Sequence, residues 1–417
     1  MDTPSAQSRW RYGALSGFRV LEMGSTIAGP FCGRLLADFG AEVIKIEALE
    51  GDAVRFMGKR LHEKSLYAAS IFRNKSLIAL DLRSPKGQEI VKRLIPQCDV
   101  VVENFRPGGL ERWSLGYDEL AAINPGLVMV RISGYGQSGP YSERPGYGVT
   151  SEAVSGLRHL TGDPDRPPAR IAVSLTDYIT GLYGAFGAVM ALLVRSQSGR
   201  GQCIDAALYE CAFSFMEPHV PAYDKLGIVA MRAGSRLPDH TPNNLYATAD
   251  NQFIHIVAAS DAIFKRLAGV MGALELLEDQ RFASPLARVR HADEVDEVIS
   301  QWTRSHEVME LEKLLIAAEI PAARIFTMAD IFNDEQYRAR KMLDKVPDAD
   351  LGTVTLTGVV PKLSETPGSL RCTGGCVGRD TREVLSTLAG LSDRQLDDLE
   401  AEGVIRTATV TDRNGGA

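Results

Sequence analysis

One carboxylate, Asp177, stands immediately before a 17-residue stretch without charge, Tyr178 to Val194, in the run VSLTDYITGLYGAFGAVMALLV (173–194). The first turn of a helix has free N–H groups and a partial positive charge, which favour an ionised acid. The plain alternative is capping, since Ser174, Thr176 and Asp177 are each competent N-cap residues. Behind the acid, Gly181, Gly184, Gly187, Ala188 and Ala191 recur at spacings of three and four, so one helix face is almost bare. That face predicts a neighbouring helix packed close against it.

Other residues with chemical potential carry less. GYGQSG (134–139) satisfies GxGxxG after a strand, but Pro140 and SERPGYG follow, so no helix begins where a pyrophosphate needs its N-terminus. It reads as a turn. Glu47 falls where a ribose-binding acid would lie, yet its loop, GSTIAGP, lacks the packed glycines of a dinucleotide site. Six cysteines are scattered at 32, 98, 203, 211, 372 and 376 with no CxxC pair, and Cys372 and Cys376 have no companion cluster, so no metal is assigned. The seven histidines form no HxxxH pattern. With 46 Lys and Arg against 53 Asp and Glu, the net charge is −7 and nucleic acid is excluded as a partner. The N-terminus has no apolar core of a secretory signal, and reduced thiols fit a cytoplasmic protein with no membrane contact. Thr180, three glycines and the following Arg195 and Arg200 make the apolar run a buried core helix rather than a membrane span.

The elements that must position Asp177 alternate along the chain. FRVLEMG (18–24) reads as a strand, FCGRLLADFGA as a helix and VIKIE (43–47) as a second strand, and SLIALDL (76–82), DVVVEN (99–104) and LVMVRIS (127–133) continue the series around helical segments. Strands alternating with helices imply an α/β fold with a doubly wound, parallel, Rossmann-like sheet. CIDAALYECAFSF (203–215) starts as a strand. NLYATADNQFIHIVA (244–258) resembles a hairpin and is followed by amphipathic helices, as in a smaller α+β domain. The expected division is 1–215 for the first part of a large domain, 216–335 for a linker and small domain, and 336–417 for a return to the large domain. The last residues, TATVTDRNGGA, read as a frayed tail.

In order, AGPFCGRLLADFGAEVIKIE, NKSLIALDL, ENFRPGGLERWSLGY, ISGYGQSGPYSERPGYG and SLTDYITGLYGAFGAVMALLVRSQSGRGQCIDAALYE, then VGRDTREVLSTLAGLSDRQLDDLEAEGVI, closely resemble the family III CoA-transferases, the CaiB/BaiF type that includes formyl-CoA and carnitine CoA-transferases. The resemblance covers about residues 15 to 405. It implies that Asp177 is a catalytic nucleophile which takes CoA from an acyl-CoA as an aspartyl thioester and hands it to a second carboxylic acid. It implies an interlocked homodimer, with coenzyme A as substrate and no permanently bound cofactor. Matched residue by residue, Ile27 and Ala28 line the mouth of the CoA site, Asn74 and Lys75 meet the nucleotide end, Asn104 and Phe105 hold pantetheine or adenine, and Arg112 meets a phosphate. Tyr147, Glu152 and Arg170 fall on the substrate side.

Departures from the pattern narrow the substrate. Ala48 stands where formyl-CoA transferase has an arginine, leaving Arg55 as the nearest replacement, and MRAGSRLPDHTPNN (231–244) occupies the region of its glycine-rich loop, so formyl and oxalyl groups fit poorly. Gly146-Tyr147-Gly148 lacks the histidine of 2-methylacyl-CoA racemases, and tyrosine is a poor base at neutral pH. PGYGVTSEAVSGLRHLTG resembles members acting on succinyl-CoA with C4 to C6 dicarboxylates such as citramalate, mesaconate or itaconate. An arginine clamp for a second carboxylate is expected from Arg170, Arg232 or Arg236. A racemase and a catalytically silent acyl-CoA-binding paralogue are the alternatives.

Overall fold

The computed structural model describes residues 13–408; the expectations for the first residues and for the tail beyond Ala408 lie outside the described residues. The chain forms two compact units, one of Met1–Leu157, Ile171–Pro221 and Gln336–Ala417, the other of Arg158–Arg170 and Ala222–Glu335.

In the first unit the chain runs through β1 (Arg19–Glu22), α1 (Ala28–Asp38), β2 (Glu42–Glu47), the short β3 (Arg60–Leu61) and β4 (Lys64–Ser65), α2 (Leu66–Ile71), β5 (Lys75–Leu80), α3 (Pro85–Leu94), β6 (Val100–Glu103), α4 (Tyr117–Ile123), β7 (Val128–Ser133), α5 (Gly148–Val154), α6 (Leu175–Ser198), β8 (Cys203–Ala207) and α7 (Leu208–Phe213). The second unit holds β9 (Asn243–Ala247), β10 (Phe253–Val257), α9 (Asp261–Met271), α10 (Pro285–Arg290), α11 (Ala292–Thr303), α12 (Val308–Ala317), β11 (Ala322–Arg324) and α13 (Met328–Asn333). Between them, α8 (His219–Leu226) and α14 (Glu335–Ala339) contain the points where the chain passes from one unit to the other, and β12 (Leu343–Asp348), β13 (Gly352–Thr357), α15 (Thr381–Leu388), α16 (Asp393–Ala401) and β14 (Ile405–Arg406) complete the first unit.

The large sheet has the order β14-β5-β2-β1-β6-β7-β8, parallel throughout except for the edge strand β14. Alternate strand residues serve two cores. Val20, Val100, Val102, Val128 and Val130 pack with α1 and α6 on one face. Leu21, Ile44, Ile78, Leu80 and Met129 pack with α3, α15 and α16 on the other. Burial on both faces is why these strands are continuous β-branched runs rather than alternating patterns. From β1 the chain proceeds outward to β2 and β5, then returns to β6 on the opposite side of β1. A reversal of this kind leaves a crevice at the carboxyl ends of the strands, the usual ligand position in a doubly wound sheet. The second unit builds its own core on an antiparallel sheet, β11-β10-β9, with Tyr246, Ile254, Phe264 and Leu311 buried. The run VTLTGVV (354–360) pairs within a two-stranded ribbon, β12-β13, of the first unit.

Candidate active site

The acid of the opening run sits in the first turn of α6. Ser174 occupies the N-cap position, which places Asp177 third in the helix rather than at its cap. Gly199, with φ of 69°, ends the helix 24 residues after it begins. The bare face does receive a helix: a Cβ on Gly181 would come within 2.7 Å of the Ala28 carbonyl oxygen and 2.9 Å of the Phe31 ring. Gly184 and Gly187 instead face Val130, Cys32 and Ile204, so the stripe lets α6 lie on both α1 and the sheet. Although α6 is long and apolar enough to cross a membrane, this face is core.

Asp177 is half-buried, and its Oδ2 lies where a side chain at 148 would begin, 2.0 Å from the Cβ position of Gly148. Thr176 fixes the same junction by donating from Oγ1 to the Gly148 carbonyl at 2.8 Å. Around it, Tyr178 shares a 2.7 Å hydrogen bond with Tyr67 and sets its ring edge-on to Phe31. Burial, helped by the Tyr178 bond and the charge of Asp177, pushes the Tyr67 phenol up, so it stays neutral. The nucleophile candidate therefore sits against a bare backbone, on a helix whose next turn packs on the start of α1.

The loop that leads into α1 is held from three sides. Asn104, just after β6, accepts from Ser25 N at 2.7 Å and donates to Ser25 O at 2.8 Å, bridging the two strands that flank the reversal. Asp52 accepts from Thr26 N at 3.0 Å, which holds Thr26 at a φ of 68°. Lys45 donates to the Gly24 carbonyl. Burial raises the Asp52 carboxyl, but Lys45 and the N–H groups of Val54 and Thr26 outweigh it, so the carboxyl is held below its ordinary range. Asn104→Ala leaves the exposed Ser25 groups to water, a net cost of about 0.5–1.5 kcal/mol for each ordinary hydrogen bond lost. The expected outcome is a roughly tenfold rise in KM for acyl-CoA, with faster amide exchange at Ser25 to Ile27.

The loop borders a cavity of about 350 Å³ at the carboxyl ends of β1, β2 and β5 and behind Phe105. Met23, Ser25, Leu80 and Leu82 line it, and Phe105 and Trp113, ring centroids 5.4 Å apart and nearly perpendicular, add an aromatic wall. Ala48 lines it too, and so does Arg83, an exposed arginine three residues past Leu80, the carboxyl end of β5. Spacing in the sequence did not single out Arg83 or Trp113. The signal for Arg83 was its place just past a strand's carboxyl end; Trp113 had none.

The other expected residues divide. Ile27 and Ala28 are buried at the start of α1, and the Ala28 carbonyl abuts α6 one turn from Asp177. Asn104 and Phe105 lie at the crevice, the former as loop clamp and the latter as wall. Arg112 is exposed in a short turn, Glu111–Trp113, with no carboxylate partner among the described residues. Asn74 and Lys75 lie in the interior. Both are fully buried at the amino end of β5: Lys75 Nζ donates to Glu22 and the Pro30 carbonyl at 2.6 Å each, while Asn74 bonds Asp38, Ser369 O and Arg371 N. Their side chains hold the interior and do not reach the crevice. Burial pushes the Glu22 carboxyl up and the Lys75 ammonium down, each against the pull of the other.

Arg55 is engaged within the first unit: its guanidinium is bidentate to Glu47 at 2.5 and 2.6 Å and donates to the Gly375 carbonyl. The same pair removes Glu47 as a ribose acid. Tyr147 is 71% exposed at the N-cap of α5, and Glu152 is 3% exposed on the same helix. In the second unit, Arg236 is engaged by Asp293 and Asp296, and Arg232 donates to the carbonyls of Asp163 and His159. Arg170 is exposed and has no ion-pair partner among the described residues. No group of His, Cys, Asp and Glu placed to hold a metal occurs among the described residues.

Comparison with known proteins adds to this geometry. The family model described as CoA-transferase family III matches residues 15–381. The chain is 45% identical over 393 residues to a succinyl-CoA–D-citramalate CoA-transferase of Chloroflexus aurantiacus, covering 94% of this chain and 98% of that one. It is 42% identical to the beta subunit of a succinyl-CoA–L-malate CoA-transferase of the same organism, with the same coverage. Among solved structures, a CAIB/BAIF family protein from Brucella suis superposes with a TM-score of 0.81 at 33% identity, over 91% of this chain and 100% of that one.

Proposed function

The chain belongs to CoA-transferase family III, and from that membership we propose that it moves CoA from succinyl-CoA to a C4 to C6 dicarboxylate through Asp177. The observation that carries this reading is the half-buried Asp177 carboxylate resting against Gly148, one helical turn from the α1 start whose preceding loop borders the crevice.

Asp177 attacks the thioester carbonyl carbon; the C–S bond breaks, the CoA thiolate leaves, and a mixed anhydride forms. The thiolate then attacks the Asp177 carbonyl, expelling the first acid as its carboxylate and leaving an aspartyl-CoA thioester. A second carboxylate attacks that thioester, and the thiolate returns to the new acyl carbon, regenerating Asp177. No proton is gained or lost, and no permanently bound cofactor takes part. The Tyr67 phenol, which burial keeps neutral, and the apolar walls of α1 and α6 keep water from the anhydride and thioester, either of which it would hydrolyse.

The crevice takes the nucleotide end, with Phe105 and Trp113 against the adenine and Arg83 and Arg112 on phosphates. Arg83→Ala is expected to raise KM for succinyl-CoA about tenfold with kcat within about twofold, the loss of one charge-assisted contact. Arg55→Ala instead lowers thermal stability, because it leaves Glu47 buried and unpaired. Arg232 and Arg236 are occupied within their own unit, so neither is free to clamp a second carboxylate. The citramalate and malate relatives support a dicarboxylate acceptor. The outward face of α6, where Leu182, Phe186, Met190 and Leu193 are about half exposed or more, supports a homodimer that covers it. We place the enzyme in the cytoplasm.

The test is transfer from succinyl-CoA to a panel of labelled acids in deuterated water. New acyl-CoA without deuterium at the α-carbon supports the proposal; deuterium uptake by a 2-methylacyl-CoA without transfer points to a racemase, and CoA-ester binding without either reaction to a silent paralogue.

A further inference from the structure

Gly148, Ser151 and Glu152 occupy the i, i+3 and i+4 positions of α5 and therefore share one face, and all three are buried. Gly148 touches the Asp177 carboxylate. Further along that face, Ser151 Oγ and Glu152 Oε1 are buried with no hydrogen-bond partner among the described residues. Ser151 is fully covered and Glu152 is 3% exposed. Buried polar atoms are almost always paired, so two unpaired ones on adjacent residues call for a ligand group. Glu152 begins about 6 Å along the helix from Gly148, and helical side chains lean back towards the N-terminus, which aims it at the turn that seats Asp177.

We propose that Ser151 and Glu152 form the subsite for a hydroxyl group on the acceptor acid, so that the enzyme selects hydroxylated dicarboxylates over their deoxy counterparts. A hydroxyl both donates and accepts; Glu152 supplies the acceptor and Ser151 the donor. A carboxylate would be repelled by Glu152, and a methyl group would leave both atoms unpaired. When an acyl group is bonded to Asp177, its nearest carbon substituents fall along this face. The inference rests on the transferase reading, which supplies that acyl group.

The test measures kcat/KM for citramalate and for 2-methylsuccinate, the same skeleton without the hydroxyl, with succinyl-CoA as donor. The wild-type chain is expected to favour citramalate. Glu152→Leu should lower the citramalate to 2-methylsuccinate ratio at least about tenfold, because a site made to bond a hydroxyl discriminates by that bond. Glu152→Gln, whose amide oxygen still accepts, should keep the ratio within about threefold. Ser151→Ala should lower it several-fold, and it carries the comparison if the leucine variant does not fold. A ratio unchanged in Glu152→Leu or Ser151→Ala, or a wild-type preference for the deoxy acid, overturns the subsite while leaving CoA transfer intact. Transfer by the wild-type chain to neither acid overturns both.

Discussion

Asp177→Ala is expected to lower CoA transfer by about five orders of magnitude or to background, the loss that follows removal of a covalent nucleophile. Acyl-CoA affinity should stay within about threefold, because the crevice residues are contributed by other elements: β1, β2, β5 and the segment after β6. The fold should survive as well. Asp177 is third in α6, where an acid contributes about 0.3–1 kcal/mol through the helix dipole, and the helix is anchored further on by Gly181, Gly184 and Gly187. Asp177→Glu keeps the charge but pushes the carboxylate forward by a methylene into backbone at Gly148. A displacement of about 1 Å costs about 10²-fold. Stopped assays of transfer and equilibrium binding of succinyl-CoA separate the two effects.

Gly148→Ala should be the next most damaging change. The new Cβ would lie 2.0 Å from Asp177 Oδ2 and 2.8 Å from Thr176 Oγ1, where no carbon can stand, so the carboxylate must move. With backbone on one side and Tyr178 on the other, it moves away from its attack position. We expect kcat to fall about 10²-fold with KM for acyl-CoA nearly constant. In the double variant with Asp177→Ala the alanine at 148 should cost less than in the parent chain, since the closest clash disappears with the carboxylate and only the approach to Thr176 Oγ1 remains. Equal losses in KM and stability would instead make Gly148 a packing residue only.

The central sheet was legible because its strands are buried on both faces and advertise that as β-branched runs; Val20 and Leu21, adjacent in sequence, serve opposite cores. The small-residue stripe was legible for a related reason, since a bare helix face has meaning only if something lies on it, and at Gly181 that is α1. Side-chain direction was not legible. Lys75 reads as a phosphate cation until the register shows it paired with Glu22 beneath the loop, and Arg55 reads as free until Glu47 is found beside it. Arg83 escaped notice for the converse reason: an ordinary arginine after a strand, it becomes a ligand candidate only when β1, β2 and β5 align their carboxyl ends. The two glycine contacts that seat the site, 148 with Asp177 and 181 with Ala28, join residues 29 (177 minus 148) and 153 (181 minus 28) apart in number, which local spacing cannot reveal.

The most direct measurement is the mass of the protein after brief incubation with succinyl-CoA without acceptor, followed by peptide mapping. A carrier carboxylate predicts CoA attached through a thioester to the peptide bearing Asp177, its mass lost on treatment with hydroxylamine and absent from Asp177→Ala. Rapid transfer by a chain that never carries CoA on that peptide, or an adduct that persists in Asp177→Ala, would contradict the account.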